Sequence, residues 1–116
     1  MRGNKPGDKL RLQHILQALT NLEDWLQNKH YEEFAKNIIL LNAVCRQLEI
    51  IGEAANNLYS AMRTQYSEIP WAKIVALRNL LIHEYFGVIP SMLWQIIQKD
   101  LPPFKEQINK MLENFA

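Results

Sequence analysis

A single cysteine, Cys45, stands in the whole sequence. One thiol excludes an internal disulfide and any Cys-x-x-Cys zinc or redox pattern, so a reducing, cytoplasmic setting is the expectation. Glycine and proline are scarce as well, four and five among 116 residues. They cluster between longer apolar-periodic stretches, which argues against an all-β chain with many tight turns. Long hydrophobic runs are missing. The longest, IILLNAV from Ile38 to Val44, is far short of the ~20 residues a membrane-spanning helix needs. The opening stretch MRGNKPGDKLRLQ has no apolar segment of the kind a signal peptide requires. Finally, neither sign of charge dominates: 13 basic and 12 acidic residues leave a net charge of +1. A broad nucleic-acid surface therefore finds no support in charge alone. An anionic substrate would need a local cluster, or a cleft built from two copies of the chain.

What is present is helical periodicity. Residues 1–116 fit one all-α domain of four to five helices, an up-and-down bundle large enough to fold without disulfides. A first helix is expected from Asp8, as N-cap, to Lys29, with Leu12, Ile15, Leu16, Leu19, Leu22 and Leu26 at helical spacing. A second, long helix is expected from Glu32 to Arg63, carrying an apolar stripe from Ile38 through Val44, Leu48 and Ile51 to Met62. Gly52 lies inside that helix. Glycine there costs up to ~1 kcal/mol relative to alanine, and close approach of another helix is the physical reason to keep it. Pro70 suits the first turn of a third helix running to Tyr85. FGVIPS then breaks the chain, Ser91 caps a fourth helix to Lys99, and DLPPF separates it from a last helix ending near Asn114.

The third helix carries polar groups that a core helix does not need. At ~100° per residue, Arg78 and Tyr85 fall within about 20° of each other on the apolar side, while Asn79 and His83 form a second strip 100–140° away. A guanidinium keeps its charge, so an inward arginine needs a carboxylate or an anion-binding cleft. Glu49 and Glu53 are the internal candidates, and a buried Arg–Glu pair stapling the second and third helices is the plain structural alternative. Chemically, histidine moves protons near neutral pH and arginine stabilises charge on a phosphoryl group. The pair suits attack of a ribose 2′-hydroxyl on its own phosphodiester without a metal or other cofactor. A symmetric dimer would bring two of each to one cleft and supply both an acid and a base.

The segment RNLLIHEYF resembles the Arg-x4-His-x-Tyr signature of HepT-like toxins in the HEPN superfamily. RLQHILQAL at residues 11–19, LEIIGEAAN at 48–56, EIPWAKIVALRNLLIHEYFGV at 68–88 and WQIIQKDLPPFKEQI at 94–108 resemble that family in the same order. The resemblance implies a homodimeric helical bundle acting as a metal-independent endoribonuclease in a prokaryotic toxin–antitoxin pair. Its partner would be an MNT-type nucleotidyltransferase antitoxin that transfers AMP to the signature tyrosine. Carried onto this chain, Arg78 and His83 become the catalytic pair, Asn79 a supporting polar group and Tyr85 the residue modified by AMPylation. No catalytic role passes to Glu49 or Glu53. Ile89-Pro90 departs from the family, which often has an acidic residue after FGV. A catalytically silent dimer that only presents a substrate to the nucleotidyltransferase shares the same fold and partner. Elsewhere, His14 is expected at the core or its rim, His30 at a helix end, Trp25, Trp71 and Trp94 in packing, and Cys45 as a buried inert thiol.

Overall fold

The computed structural model describes residues 5–83 and 89–115. Among them every regular element is a helix, as the periodicity predicts: α1 Asp8–Leu26, α2 Tyr31–Lys36, α3 Ile38–Asn56, α4 Ser60–Gln65, α5 Trp71–His83, α6 Pro90–Gln95, a π-helical turn Ile96–Asp100, and α7 Leu101–Glu113. The central helix is α3. It packs against α1 on one side and α5 on the other, and α1 also packs against α7. The inward stripes of α1 (Leu12, Ile15, Leu19, Leu22), α3 (Val44, Leu48, Ile51, Ala55) and α7 (Phe104, Ile108, Met111) are all buried. Trp71 meets Phe104 edge-on at 6.1 Å, and Trp94 packs on Phe34 and Tyr31 at 5.3 and 5.9 Å.

Several boundaries differ from the sequence expectation, each for a local reason. Asp8 does not cap α1. Gly7 takes that position with φ 92°, a left-handed conformation that suits glycine. Asp8 sits fully buried in the first turn, where its carboxylate accepts hydrogen bonds from the Lys5 and Tyr59 backbone N–H groups at 2.7 and 3.2 Å. It ties the start of α1 to the start of α4. The helix then stops at Leu26, before Asn28 with φ 62°.

The expected long second helix is three helices. Asn37 adopts extended geometry and its side chain accepts from the Leu40 N–H at 3.0 Å, so it caps α3 and separates it from α2. At the other end Asn57 turns its amide back onto the Glu53 carbonyl at 2.9 Å and closes α3. Ile38, the expected start of the stripe, is consequently outside at 72% exposure, beside Ile39 at 83%.

The fourth and last helices are continuous, where a break was expected at DLPPF. Pro102 and Pro103 cannot donate to the carbonyls one turn back, and their rings crowd them. The chain widens by one π-helical turn just ahead, with the Leu101 N–H bonding to the Ile96 carbonyl, and continues as α7. Ser91 is not the cap of α6. Ile89 holds that place and Pro90 occupies the first turn.

Gly52 has the role expected of it. It is buried where α3 crosses α5, and a Cβ built there would collide with Arg78 Cβ and lie 2.9 Å from Arg78 Cγ and 3.2 Å from the Ile74 carbonyl oxygen. The colliding atoms are backbone or the root of a side chain, which cannot swing away. Gly52→Ala is therefore expected to destabilise the fold by about 2 kcal/mol despite alanine's better helix propensity. Urea denaturation reads this as a lowered midpoint at unchanged slope.

Candidate functional site

The crossing that needs Gly52 also fixes Arg78. The Arg78 side chain leaves α5 over Gly52, and its guanidinium arrives beside the next residue of α3. There Nη2 pairs with Glu53 Oε2 at 2.5 Å, while Nη1 donates to Asn79 Oδ1 at 2.7 Å. Nε is buried without a hydrogen-bond partner among the described residues. The sequence offered Glu49 and Glu53 equally. Register decides between them, because the residue following the contact glycine is the one whose carboxylate meets the arginine head. Glu49 lies one turn earlier and is half-buried near Cys45.

This pair is not the buried staple that the plain structural alternative requires. The Arg78 side chain retains 24% exposure and Glu53 53%. The root of the arginine stem and Nε are packed in, while the terminal nitrogens meet the exposed residues Glu53 and Asn79. Such an arrangement holds a charge in a fixed place and leaves it within reach of a solution anion.

His83 lies in the last turn of α5 and is exposed. Five positions separate it from Arg78, which on a helix means ~140° of rotation and ~7.5 Å of rise. The two side chains therefore leave α5 in different directions and do not form an intimate pair within one chain. Asn79 is exposed on the strip between them. Tyr85, and the end of the third helix expected there, lie outside the described residues. Among the described residues, no three His, Cys, Asp or Glu side chains converge as a metal site would require. No described helix is long and apolar enough to cross a membrane.

Sequence reasoning misplaced one histidine. His14 is exposed, as is its neighbour Leu10, which is 54% exposed, so His14 belongs neither to the core nor to its rim. It stands with Arg11 and Arg46 around a groove between α1 and α3. The signal was available in the spacing: His14 lies between the buried Leu12 and Ile15 but on the outward side with Leu10. His30 is at a helix end as expected, its N–H donating to Glu33 at 3.0 Å at the start of α2. Cys45 is buried. Burial pushes its thiol pKa above the ordinary cysteine range, and the nearby Glu49 carboxylate pushes it in the same direction.

A family model described as "Ribonuclease HepT-like" matches residues 15–111. Among curated relatives, a "Putative RNase" of Caldanaerobacter subterraneus is 40% identical over 102 residues, covering 88% of this chain and 91% of the relative. A "Probable ribonuclease HepT" of Thermococcus cleftensis is 35% identical over 107 residues, covering 92% and 97%. A "Gamma-glutamylcyclotransferase and putative RNase" of Methanocaldococcus jannaschii is 39% identical over 105 residues. This chain spans 90% of its own length in that match but less than half, 47%, of the relative's. No solved structure matches.

Two expectations follow from the site geometry. Glu53→Gln removes a half-exposed ion pair and should lower stability by no more than about 1 kcal/mol, measured by urea denaturation; a loss of several kcal/mol would restore the buried-staple account. The Cys45 thiol should react with an aromatic disulfide reagent at neutral pH only as fast as the protein opens, and at once in denaturant.

Proposed function

The chain belongs to the HepT-like family of the HEPN superfamily, and from that premise we propose that it is an endoribonuclease, the toxin of a toxin–antitoxin pair, cleaving RNA without a metal. The observation that carries the proposal is the fixed, surface-reaching Arg78 guanidinium on the same helix as the exposed His83. A backbone phosphate meeting Arg78 would share or displace Glu53, and the planar donors would hold its non-bridging oxygens. His83 acting as base would take the proton of the ribose 2′-hydroxyl as that oxygen attacks the adjacent phosphorus. The 5′-oxygen of the next nucleotide leaves and takes up a proton from an acid. The products are a 2′,3′-cyclic phosphate and a 5′-hydroxyl.

One chain supplies a thin site, since Arg78 and His83 diverge by ~140°. A homodimer resolves this by offering a second histidine as the acid. Supporting a dimer face on this side of the molecule, Val75 and Ile82 lie at i and i+7 beside Asn79, and Ile82 is 43% exposed. Among the described residues α3 is the element that packs extensively on α5, which leaves that strip open to a partner subunit.

Tyr85 follows His83 by two positions in the sequence, and the sequence expectation sets it on the Arg78 side of a helix running that far. AMP transferred to its hydroxyl by an MNT-type nucleotidyltransferase would bring a phosphate to the arginine and a nucleotide into the RNA path, disabling the toxin. The second reading, a catalytically silent dimer that serves as the nucleotidyltransferase's substrate, is favoured by one observation: Arg78 is already engaged by Glu53.

The purified, unmodified protein should cleave single-stranded RNA in EDTA and leave 2′,3′-cyclic ends. Arg78→Ala and His83→Ala should each lower the rate by ~10²-fold or more with unchanged circular dichroism. No cleavage by the unmodified protein would leave the silent dimer as the reading. Coexpression with the nucleotidyltransferase should add whole AMP units to the intact mass, and Tyr85→Phe should abolish the addition. A modified mass in Tyr85→Phe would move the acceptor elsewhere.

A further inference from the structure

Beside the Arg78 site lies a groove of about 230 Å³ between α1 and α3, walled by Arg11 and His14 from α1, by Arg46 and Glu53 from α3 and by Asn57 just after it. On a chain whose net charge is only +1, three basic-type side chains around one groove are a local concentration. Arg46 is exposed and makes no ion pair among the described residues. Arg11 is committed only loosely, through one guanidinium nitrogen 3.9 Å from Asp8 and 3.4 Å from the Pro6 carbonyl. The one carboxylate in the wall is Glu53, and Arg78 already holds it at 2.5 Å. The cations are therefore not cancelled from within the groove.

We propose that this groove is a second phosphate-binding subsite, in which Arg11, His14 and Arg46 hold the RNA backbone beyond the phosphate at Arg78. The inference rests on the ribonuclease function proposed above. Glu53 is the shared wall: one side faces Arg78 and the other the groove. Arg46 and Glu53 lie seven positions apart on α3, about 10 Å along the helix axis and nearly in line. A strand laid across Glu53 thus passes from one guanidinium to the next along a single helix face. Guanidinium groups match phosphate oxygens with paired planar donors, and Ile50 and Ala54, which also line the groove, offer an apolar floor to a sugar or base. Contacts of this kind strengthen and position the substrate without taking part in the chemistry.

The test uses full-length protein with His83→Ala, so that binding is read without cleavage, and a fluorescently labelled single-stranded RNA oligonucleotide. Arg46→Ala should weaken binding at low salt and reduce the slope of log affinity against log salt by about 0.7, the loss of one single-strand phosphate contact. Arg46→Glu should weaken it further, and Arg46→Lys should keep most of the slope. With His83 intact, Arg46→Ala should raise KM for RNA at unchanged kcat. Wild-type cleavage with identical KM and salt slope in Arg46→Ala and Arg46→Glu would overturn the subsite and leave the ribonuclease function standing. Loss of RNA binding together with loss of the dimer in light scattering would assign the groove to a subunit contact and overturn the subsite also. Failure of the wild-type protein to bind or cut RNA at all would overturn the ribonuclease function and the subsite together.

Discussion

The close crossing of α3 and α5 at Gly52 is the constraint on which the rest of the molecule depends. A hydrogen in place of a Cβ lets the root of the Arg78 side chain sit directly against the α3 backbone. That contact sets the distance between the two helices and the register in which they meet. The register in turn places Glu53, and not Glu49, at the guanidinium, whose other terminal nitrogen donates to the adjacent Asn79 at 2.7 Å. A glycine in mid-helix is a local loss of stability that is offset by one well-placed tertiary contact. The geometry of the candidate site and the stability of the fold are therefore joined at the same two residues.

The energetic character of the Arg78–Glu53 pair follows from where the crossing lies. Near the bundle axis, such a pair would be desolvated and strongly coupled to stability. Near the surface, half-exposed Glu53 is screened by water, and the pair contributes little to folding. A carboxylate held this weakly is a suitable resting partner for an arginine proposed to receive a phosphate. It also lines the α1–α3 groove, so the same residue borders both places where this surface concentrates positive charge.

Elsewhere the bundle accommodates its irregular residues by small local changes. Two successive prolines in the last helix are absorbed by one π-helical turn, which relieves their carbonyls without interrupting the rod. Asn37 and Asn57 cut what periodicity joins, because their side chains offer the backbone an alternative hydrogen bond. These are the places where counting apolar positions misleads. A stripe with steps of three and four continues across a cap as readily as through a helix, and Ile38 belongs to the pattern while facing solvent.

The sequence by itself determined the helical class, the inward faces of α1 and α3, the need for close approach at Gly52, and the angular separation of Arg78 from His83. All of these follow from spacing along one helix, where geometry is fixed by ~100° and ~1.5 Å per residue. The ordered motifs also pointed to the HepT-like family, to which the match over residues 15–111 assigns the chain. Only the tertiary structure decided which glutamate meets Arg78, how exposed that pair is, that Asp8 joins two helix starts, and that His14 stands with Arg11 and Arg46 at a groove. Each of those depends on the register between elements distant in the chain. Register is set by the packing of particular side chains against particular backbones, and periodicity within a single helix carries no information about it.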